Sequence, residues 1–235
     1  MLGHIELHTN CLVGGGEIMA CLKYDLNDQR VQYLISTDEV LGKLIRYIGT
    51  SELVIEEDGF KCLVQYIIGQ QISDKARETI WQRVCCLVGT ITPSNLLRVN
   101  DDDLSGRGIS GRKVQYIKGL AAAIVEKRLD LRGLPVLTNT EIITKLTALK
   151  GIGRWTAEMY LIFALGREDV CAKEDGSIRR VLQWMYGLEE TPSAIVTEKY
   201  FVTWREYATI VSAYLWKAVS LGLTRMLFIE AISEG

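Results

Sequence analysis

Histidine is almost missing from this 235-residue chain: His4 and His8 are the only two, both near the N-terminus. A hydrolytic centre further along must take its acid–base group from elsewhere, and a carboxylate is the expected choice. Proline is equally sparse, at three residues, and neither charge dominates, with 27 lysines and arginines against 29 aspartates and glutamates. The overall balance therefore gives no hint of a polyanionic partner. Six cysteines are present (Cys11, Cys21, Cys62, Cys85, Cys86 and Cys171), but none forms a C-x-x-C pair. That spacing speaks against a structural zinc or an iron–sulfur cluster with closely spaced ligands. The expected state is reduced thiol, mostly buried as a small hydrophobe. No apolar run approaches the ~18 residues needed to span a bilayer, so no membrane partner is expected. The longest runs, 120–125 and 160–165, read as buried helix. Residues 1–7 carry no basic segment ahead of an apolar stretch, so no secretory leader is expected and the protein is placed in the cytoplasm.

Apolar residues make up 48 % of the chain and charged residues 24 %, an ordinary globular composition long enough for one domain built as two lobes. Helical signals dominate. Ser36 with Glu39 makes a capping-box pattern that predicts a helix through Tyr47, closed by Gly49. Phe60, Leu63, Val64, Ile67 and Ile68 fall at helical spacing, and a second helix follows from about Ser73 to Leu87. Short helices are predicted over 93–98 and 100–104, and Ser110 can cap a longer one through Lys127. Thr138 with Glu141 is another capping box, opening 139–149. Further helices are predicted over about 154–165, 177–186, from Pro192 onward, and 204–221. Residues 14–16, all glycine, separate two short segments that can pair as strands.

One stretch is locally basic. Between 104 and 128 lie Arg107, Arg112, Lys113, Lys118, Lys127 and Arg128 against a single acid, Glu126. Such a stretch can bind phosphates; taken alone, a solvated helix face is the better explanation, since charge runs are usually just surface.

The most informative segment is L-K-G-I-G-R-W-T-A-E-M at 149–159. A capped helix runs into two glycines spaced by Ile152, and a second helix starts at once. Gly151 and Gly153 permit a tight turn and close approach of another backbone. Ile152 can plug the space between the helices. The new helix then turns its free amides and positive dipole end outward, which suits a phosphate. The alternative is an αα-corner whose glycines serve packing only.

This segment resembles the hairpin of the helix-hairpin-helix DNA glycosylase superfamily, and more closely that of the 3-methyladenine DNA glycosylase II family, which typically reads L-P-G-I-G-x-W-T-A. Four other stretches are similar to that family: I-I-G-Q-Q-I-S at 67–73, G-I-S-G-R-K-V-Q-Y at 108–116, D-G-S-I-R-R at 175–180, and Y-A-x-x-x-x-x-Y-L-W at 207–216. The likeness runs in order from about 36 to 220. Two departures stand out: Lys150 replaces the usual proline, and Asp175 is followed by Gly-Ser where Leu-Gly is more common.

The resemblance implies an all-α, two-lobed fold with a possible short β segment at the N-terminus. One lobe spans 58–186 with the hairpin at about 139–165; the other combines 1–57 with 187–235. It implies a monofunctional DNA repair glycosylase that flips an alkylated purine such as 3-methyladenine out of the duplex and hydrolyses its N-glycosidic bond without cutting the strand. Asp175 takes the place of the catalytic carboxylate, with Glu174 as the fallback. By local sequence alone Asp175 reads as a helix N-cap. Trp155, Tyr66 and Trp184 are the base-pocket candidates, followed by Tyr186 and Trp216, although any of them can be plain core. Gly151, Gly153, Arg154, Lys150, Arg112 and Lys113 are expected at the DNA backbone, and Gln71 with Ile72 as the wedge that fills the gap. No side-chain metal site and no cofactor are expected; a monovalent cation on the hairpin carbonyls is implied by the resemblance only. Bifunctional members carry a lysine two residues after the second hairpin glycine, where this chain has Trp155. The expected partner is damaged double-stranded DNA, met by a monomer at the nucleoid or in a nucleus. Two alternatives remain: a non-catalytic DNA-binding hairpin protein, or a glycosylase for deaminated or oxidised bases.

Overall fold

The computed structural model describes residues 10–13 and 17–227. His4, His8, the leader reading of residues 1–7 and the glycine turn at 14–16 lie outside the described residues. The chain forms two compact units, Met1–Ile55 with Gly166–Gly235, and Glu56–Leu165.

The first unit opens with β1 (Asn10–Val13) and β2 (Glu17–Tyr24), paired antiparallel with Asn10 opposite Ala20 and Val13 opposite Glu17. Helices α1 (Gln29–Thr37) and α2 (Glu39–Ile48) follow, then β3 (Ser51–Val54), which pairs with β2 so that Cys21 faces Val54. Asp38, not Ser36, starts α2: its carboxylate accepts the Leu41 amide at 2.8 Å. Ser36 belongs to the last turn of α1 and donates to the Tyr33 carbonyl at 2.8 Å. An aspartate with extended backbone caps better than a serine already inside a helix, because only the former can bend back on the free amides.

The second unit holds seven helices: α3 (Gly59–Gly69), α4 (Asp74–Val88), α5 (Pro93–Arg98), α6 (Asp101–Ser105), α7 (Gly111–Val125), α8 (Asn139–Thr147) and α9 (Arg154–Phe163). Its core is made where α3 packs on α4, α7 and α9, and α9 on α8. Leu63, Val64, Ile67, Val114, Ile117, Leu146 and Leu161 are fully buried there. Each such side chain stabilises the fold by roughly 1.5–3 kcal/mol. The Thr138–Glu141 capping box forms as predicted.

The chain re-enters the first unit at Gly166, ahead of the boundary at 186 expected from sequence. There it forms α10 (Gly176–Tyr186), α11 (Ala194–Val202) and α12 (Ala208–Ser220), the last preceded by a 3-10 turn at Arg205–Tyr207. The reason for the earlier boundary lies in α10, whose buried face of Ile178, Val181, Leu182 and Met185 packs on α12 and α2. Pro192 precedes α11, which is capped by Ser193. Tyr214 of α12 donates its hydroxyl to the carbonyls of Tyr24 and Gly49 at 3.1 and 3.2 Å, tying β2 and the end of α2 to that helix. No described helix is long and apolar enough to cross a membrane.

Candidate DNA-binding hairpin and catalytic carboxylate

Helices α8 and α9 meet at the turn formed by residues 148–153. Gly151 sits at φ +92°, a conformation side-chain-bearing residues rarely adopt, while Gly153 has an ordinary extended φ of −87°. The two glycines therefore do different things. At Gly151 a Cβ would collide with Tyr116; at Gly153 it would meet nothing within 4 Å. The open space at Gly153 lets another molecule's backbone come close. Ile152 is buried, as its plugging role requires.

Gly153 also starts α9 without a side-chain cap. Among the described residues of this unit, every other α-helix has one: Asp58, Ser73, Thr92, Asn100, Ser110 and Thr138. An α-helix whose first amides have no cap presents partial positive charge to an anion. Lys150 within the turn and Arg154 just after it both have exposed side chains. Arg154 donates from Nε to Glu158 Oε1 at 2.8 Å, one turn along α9. Glu158 is almost fully buried, so it anchors the inner edge of the guanidinium.

The I-x-G-Q-Q turn lies against this hairpin. Gln70 donates its side-chain amide to the Gly151 carbonyl at 2.8 Å and to Thr156 Oγ1 at 3.0 Å. Gln71 adopts φ +59°, and Gln71 and Ile72 are both exposed, as a wedge must be. Gly69 is required by Arg77, whose Cδ would stand 2.7 Å from an added Cβ. Arg77 in turn lies over the Tyr66 ring at 5.3 Å.

Trp155 is half-buried and meets Tyr66 edge-on, at 5.8 Å between centroids, while Phe163 stacks on Tyr66 at 5.4 Å. Burial pushes the Tyr66 phenol well above its usual pKa, so it stays neutral. Trp155 and Tyr66 are thus brought together.

Trp184 is a different matter. It lies near the C-terminal end of α10, nine residues or about 13 Å along the helix from Asp175, and its indole N–H donates to the Met226 carbonyl at 2.6 Å. That places this pocket candidate away from the Asp175 carboxylate. Tyr186 is similarly engaged, donating to Asp38 Oδ2 at 2.6 Å.

The basic stretch also resolves into parts. Lys113 donates to the carbonyls of Ile68 and Gln70, each at 2.7 Å, so two of its three protons face the protein. Desolvation lowers its pKa from the usual lysine value. Lys118 donates to the Val99 carbonyl at 2.6 Å and pairs with Asp101; Arg128 pairs with Glu126. Arg112 is exposed at the first turn of α7, and Lys127 lies past its other end, about 22 Å away. They do not form one patch. A cavity of about 780 Å³ in this unit, lined by residues such as Phe60, Leu129 and Tyr160, contains none of the predicted site residues.

In the first unit, Asp175 is the N-cap of α10. Its Oδ1 accepts the amides of Ser177 and Ile178 at 2.9 and 3.0 Å and the Ser177 hydroxyl. The carboxylate is 8 % exposed, whereas Glu174 is exposed to solvent. The loop leading to it is stitched down by a residue that sequence reasoning missed. Thr209, fully buried at the start of α12, donates to the Arg167 carbonyl at 2.7 Å, and its amide donates to the Glu168 carbonyl at 2.8 Å. Arg30 reaches the same loop by pairing with both Asp28 and Glu168. A threonine at an unspecified position of the Y-A-x-x-x-x-x-Y-L-W segment carries no signal of this task.

Residues 64–206, more than half of the chain, match the HhH-GPD superfamily of base excision DNA repair proteins. The chain belongs to that superfamily. It is 29 % identical over 196 residues to DNA-3-methyladenine glycosylase 1 of Schizosaccharomyces pombe (strain 972 / ATCC 24843), a match covering 80 % of this chain and 86 % of that protein. Among solved structures it is similar to a DNA-3-methyladenine glycosidase from Bacillus halodurans, with TM-score 0.76 and 34 % identity over 91 % of this chain and 100 % of the other. It is also similar to the 3-methyladenine DNA glycosylase of S. pombe in complex with abasic DNA, with TM-score 0.79 and 28 % identity over 82 % and 97 %.

Among the described residues no group of three or more His, Cys, Asp or Glu could hold a metal ion. A monovalent cation on the hairpin would rest on backbone carbonyls. The Gly151 carbonyl is taken by Gln70, and that of Leu149 accepts the Ile152 amide at 3.2 Å, so the fit depends on the second lone pairs of these oxygens and on the remaining turn carbonyls. Cys21, Cys62, Cys85, Cys86 and Cys171 are not in disulfides, and Cys86 is exposed rather than buried.

Proposed function

We propose that this protein removes alkylated purines, 3-methyladenine first, from double-stranded DNA by hydrolysing the N-glycosidic bond. The observation that carries the reading is the uncapped start of α9 at Gly153, in a chain that also places an aspartate at residue 175. The hairpin holds a backbone phosphate on the amides of α9, while Lys150 and Arg154 add positive charge; these contacts position the duplex without reading its sequence. Gln71 and Ile72 fill the space left by the flipped nucleotide. As the C1′–N bond lengthens, the base leaves with the electron pair and the sugar becomes oxocarbenium-like. The Asp175 carboxylate stabilises that cation and orients the water that adds to C1′. The water proton passes to the carboxylate or to solvent, and an intact abasic site remains. Trp155, braced edge-on by Tyr66, offers its indole face to a cationic alkylated base, a contact on the order of 1–2 kcal/mol.

The hairpin, the wedge and the carboxylate all lie on one chain, which favours action as a monomer. The chain is placed where its substrate is, at the nucleoid or in a nucleus. Duplexes containing 3-methyladenine, hypoxanthine or 8-oxoguanine, assayed for abasic sites, test the reading. Release of 3-methyladenine alone supports it; release of one of the others reassigns the substrate; release of none leaves a non-catalytic DNA-binding protein.

A further inference from the structure

A left-handed backbone at a non-glycine residue must be held by its surroundings. Gln71 is one of two such residues among those described, and it forms the tip of the wedge turn. Two side chains fasten that turn, one from a distant helix and one from the turn itself. Lys113 of α7 donates to the carbonyls of Ile68 and Gln70, at 2.7 Å each, on both sides of Gly69. These are carbonyls that the end of α3 leaves without intrahelical partners. Gln70 reaches the other way and donates to the Gly151 carbonyl at 2.8 Å and to Thr156 Oγ1 at 3.0 Å, the turn and first helical turn of the hairpin. Both fasteners lie directly beside Gln71, and one of them ends on the backbone that is to hold the phosphate.

We infer that Lys113 and Gln70 are positioning residues that hold Gln71 in its left-handed conformation and fix the wedge to the hairpin, so that a seated hairpin presents the wedge at one defined place on the duplex. The inference rests on the glycosylase reading above. It gives Lys113 a task on the protein rather than on DNA, and the two tasks have opposite signatures. A phosphate contact contributes about 0.9 to the slope of log affinity against log salt. A fastener contributes nothing to that slope but governs insertion of the wedge.

The test compares the wild type with Lys113→Met, Lys113→Arg, Gln70→Met and Lys113→Met/Gln71→Asn. One probe is an undamaged duplex titrated with salt. The other is a duplex carrying a tetrahydrofuran abasic analogue beside 2-aminopurine, whose fluorescence rises when the wedge disturbs stacking. Lys113→Met is expected to leave the salt slope unchanged and to weaken the fluorescence response about tenfold or more, the scale of losing charge-assisted hydrogen bonds. Lys113→Arg, which keeps donors for both carbonyls, should retain most of the response. Gln71→Asn should restore part of it in the Lys113→Met background, because asparagine enters the left-handed region more readily than glutamine; a general loss of stability would not be repaired that way. Should Lys113→Met fail to fold, Gln70→Met decides by the same two readings.

A Lys113→Met slope lower by about 0.9 with a normal wedge signal makes Lys113 a phosphate ligand and overturns the inference. So does a variant unchanged in both readings. If the wild type gives no wedge signal and also releases no base, the glycosylase reading and this inference fall together. If the wild type releases base while the fasteners prove irrelevant, only the inference falls.

Discussion

Tyr116 lies directly on Gly151: a Cβ added to that glycine would stand 2.0 Å from Tyr116 Cγ and 2.3 Å from Cδ2. Two sequence motifs more than thirty residues apart are thus pressed together at the hairpin turn, and the φ of +92° at Gly151 forbids an easy escape. Gly151→Ala is expected to destabilise the protein by at least about 2 kcal/mol, from the left-handed backbone and the collision together. Thermal unfolding checks this. Adding Tyr116→Ala should recover the steric part only, because alanine still dislikes the positive φ. A Gly151→Ala protein as stable as the wild type would show that the turn has another conformation.

This contact also shows what the sequence could and could not convey. The helix-glycine-x-glycine-helix pattern, the capping box at Thr138 and the apolar stripe of α3 are local, and they read correctly because the residues that enforce them are neighbours in the chain. The G-x-S-x-x-K-x-x-Y segment was legible as a likeness but not as a mechanism. The likeness alone puts Lys113 at the DNA backbone. Only the fold shows that the end of α3 arrives beneath it with two carbonyls. Helix α1 and strand β3 escaped notice for a different reason. α1 is short, with Val31, Leu34 and Ile35 as its buried residues, and β3 has four residues, alternately buried and exposed, that make sense only beside β2. The unit boundary was misplaced because nothing local distinguishes the apolar face of α10 from that of any other helix.

The cap that Asp175 forms and the catalytic role proposed for it can be separated by substitution. Asparagine is as good an N-cap as aspartate, so Asp175→Asn should melt close to the wild type while base release falls by two to three orders of magnitude or more, the scale of removing one electrostatic stabiliser. Asp175→Ala should lose the same activity and about 1 kcal/mol of stability as well, since the amides of Ser177 and Ile178 lose their acceptor. Single-turnover rates and melting curves measured side by side settle the matter. Near-normal rates in Asp175→Asn, with a dead Glu174→Gln, would move the catalytic role one residue back.

Salt dependence should be steep despite the acidic balance of the chain, because the hairpin and its flanking cations displace counterions from several phosphates. Arg112→Ala is expected to flatten the log–log slope by about 0.9, and Arg112→Ala with Lys113→Met by no more than that. Fluorescence anisotropy with an undamaged duplex at several salt concentrations gives the slopes. A slope indifferent to Arg112→Ala would place the DNA on another face of α7.

The loop before Asp175 should be sensitive to acid through Arg30. Burial pushes the Asp28 carboxyl up, but the side-chain and backbone hydrogen bonds from Arg30 and its charge outweigh that and hold it below the usual carboxylate range. A carboxyl with a lowered pKa in the folded state stabilises the protein above its unfolded value, near about pH 4. That contribution is lost as pH falls through the lower folded value. Arg30→Gln, which also breaks the pairing with Glu168, should therefore be less stable than the wild type at neutral pH, with the gap closing at strongly acid pH. Urea melts across that range measure it. A gap that stays constant would mean Arg30 acts through packing alone.

Base release should leave the strand intact. A lyase needs an amine that attacks C1′, expels the base and forms a Schiff base, from which elimination cuts the strand. Two residues past Gly153, where bifunctional members of the superfamily have lysine, this chain has Trp155, whose indole has no nucleophilic nitrogen and packs edge-on against Tyr66. Lys150 lies in the turn, one residue before Gly151, and is exposed. Lys173 lies in the loop before Asp175, but its ammonium pairs with Glu198 at 2.6 Å and its side chain is only 16 % exposed. Water is then the nucleophile. Borohydride added during turnover of a damaged duplex should trap no covalent protein–DNA adduct, and the product strand should break only after alkali or heat. An adduct that survives Trp155→Phe but disappears in Lys150→Ala or Lys173→Ala would show that a lysine, not water, attacks the sugar.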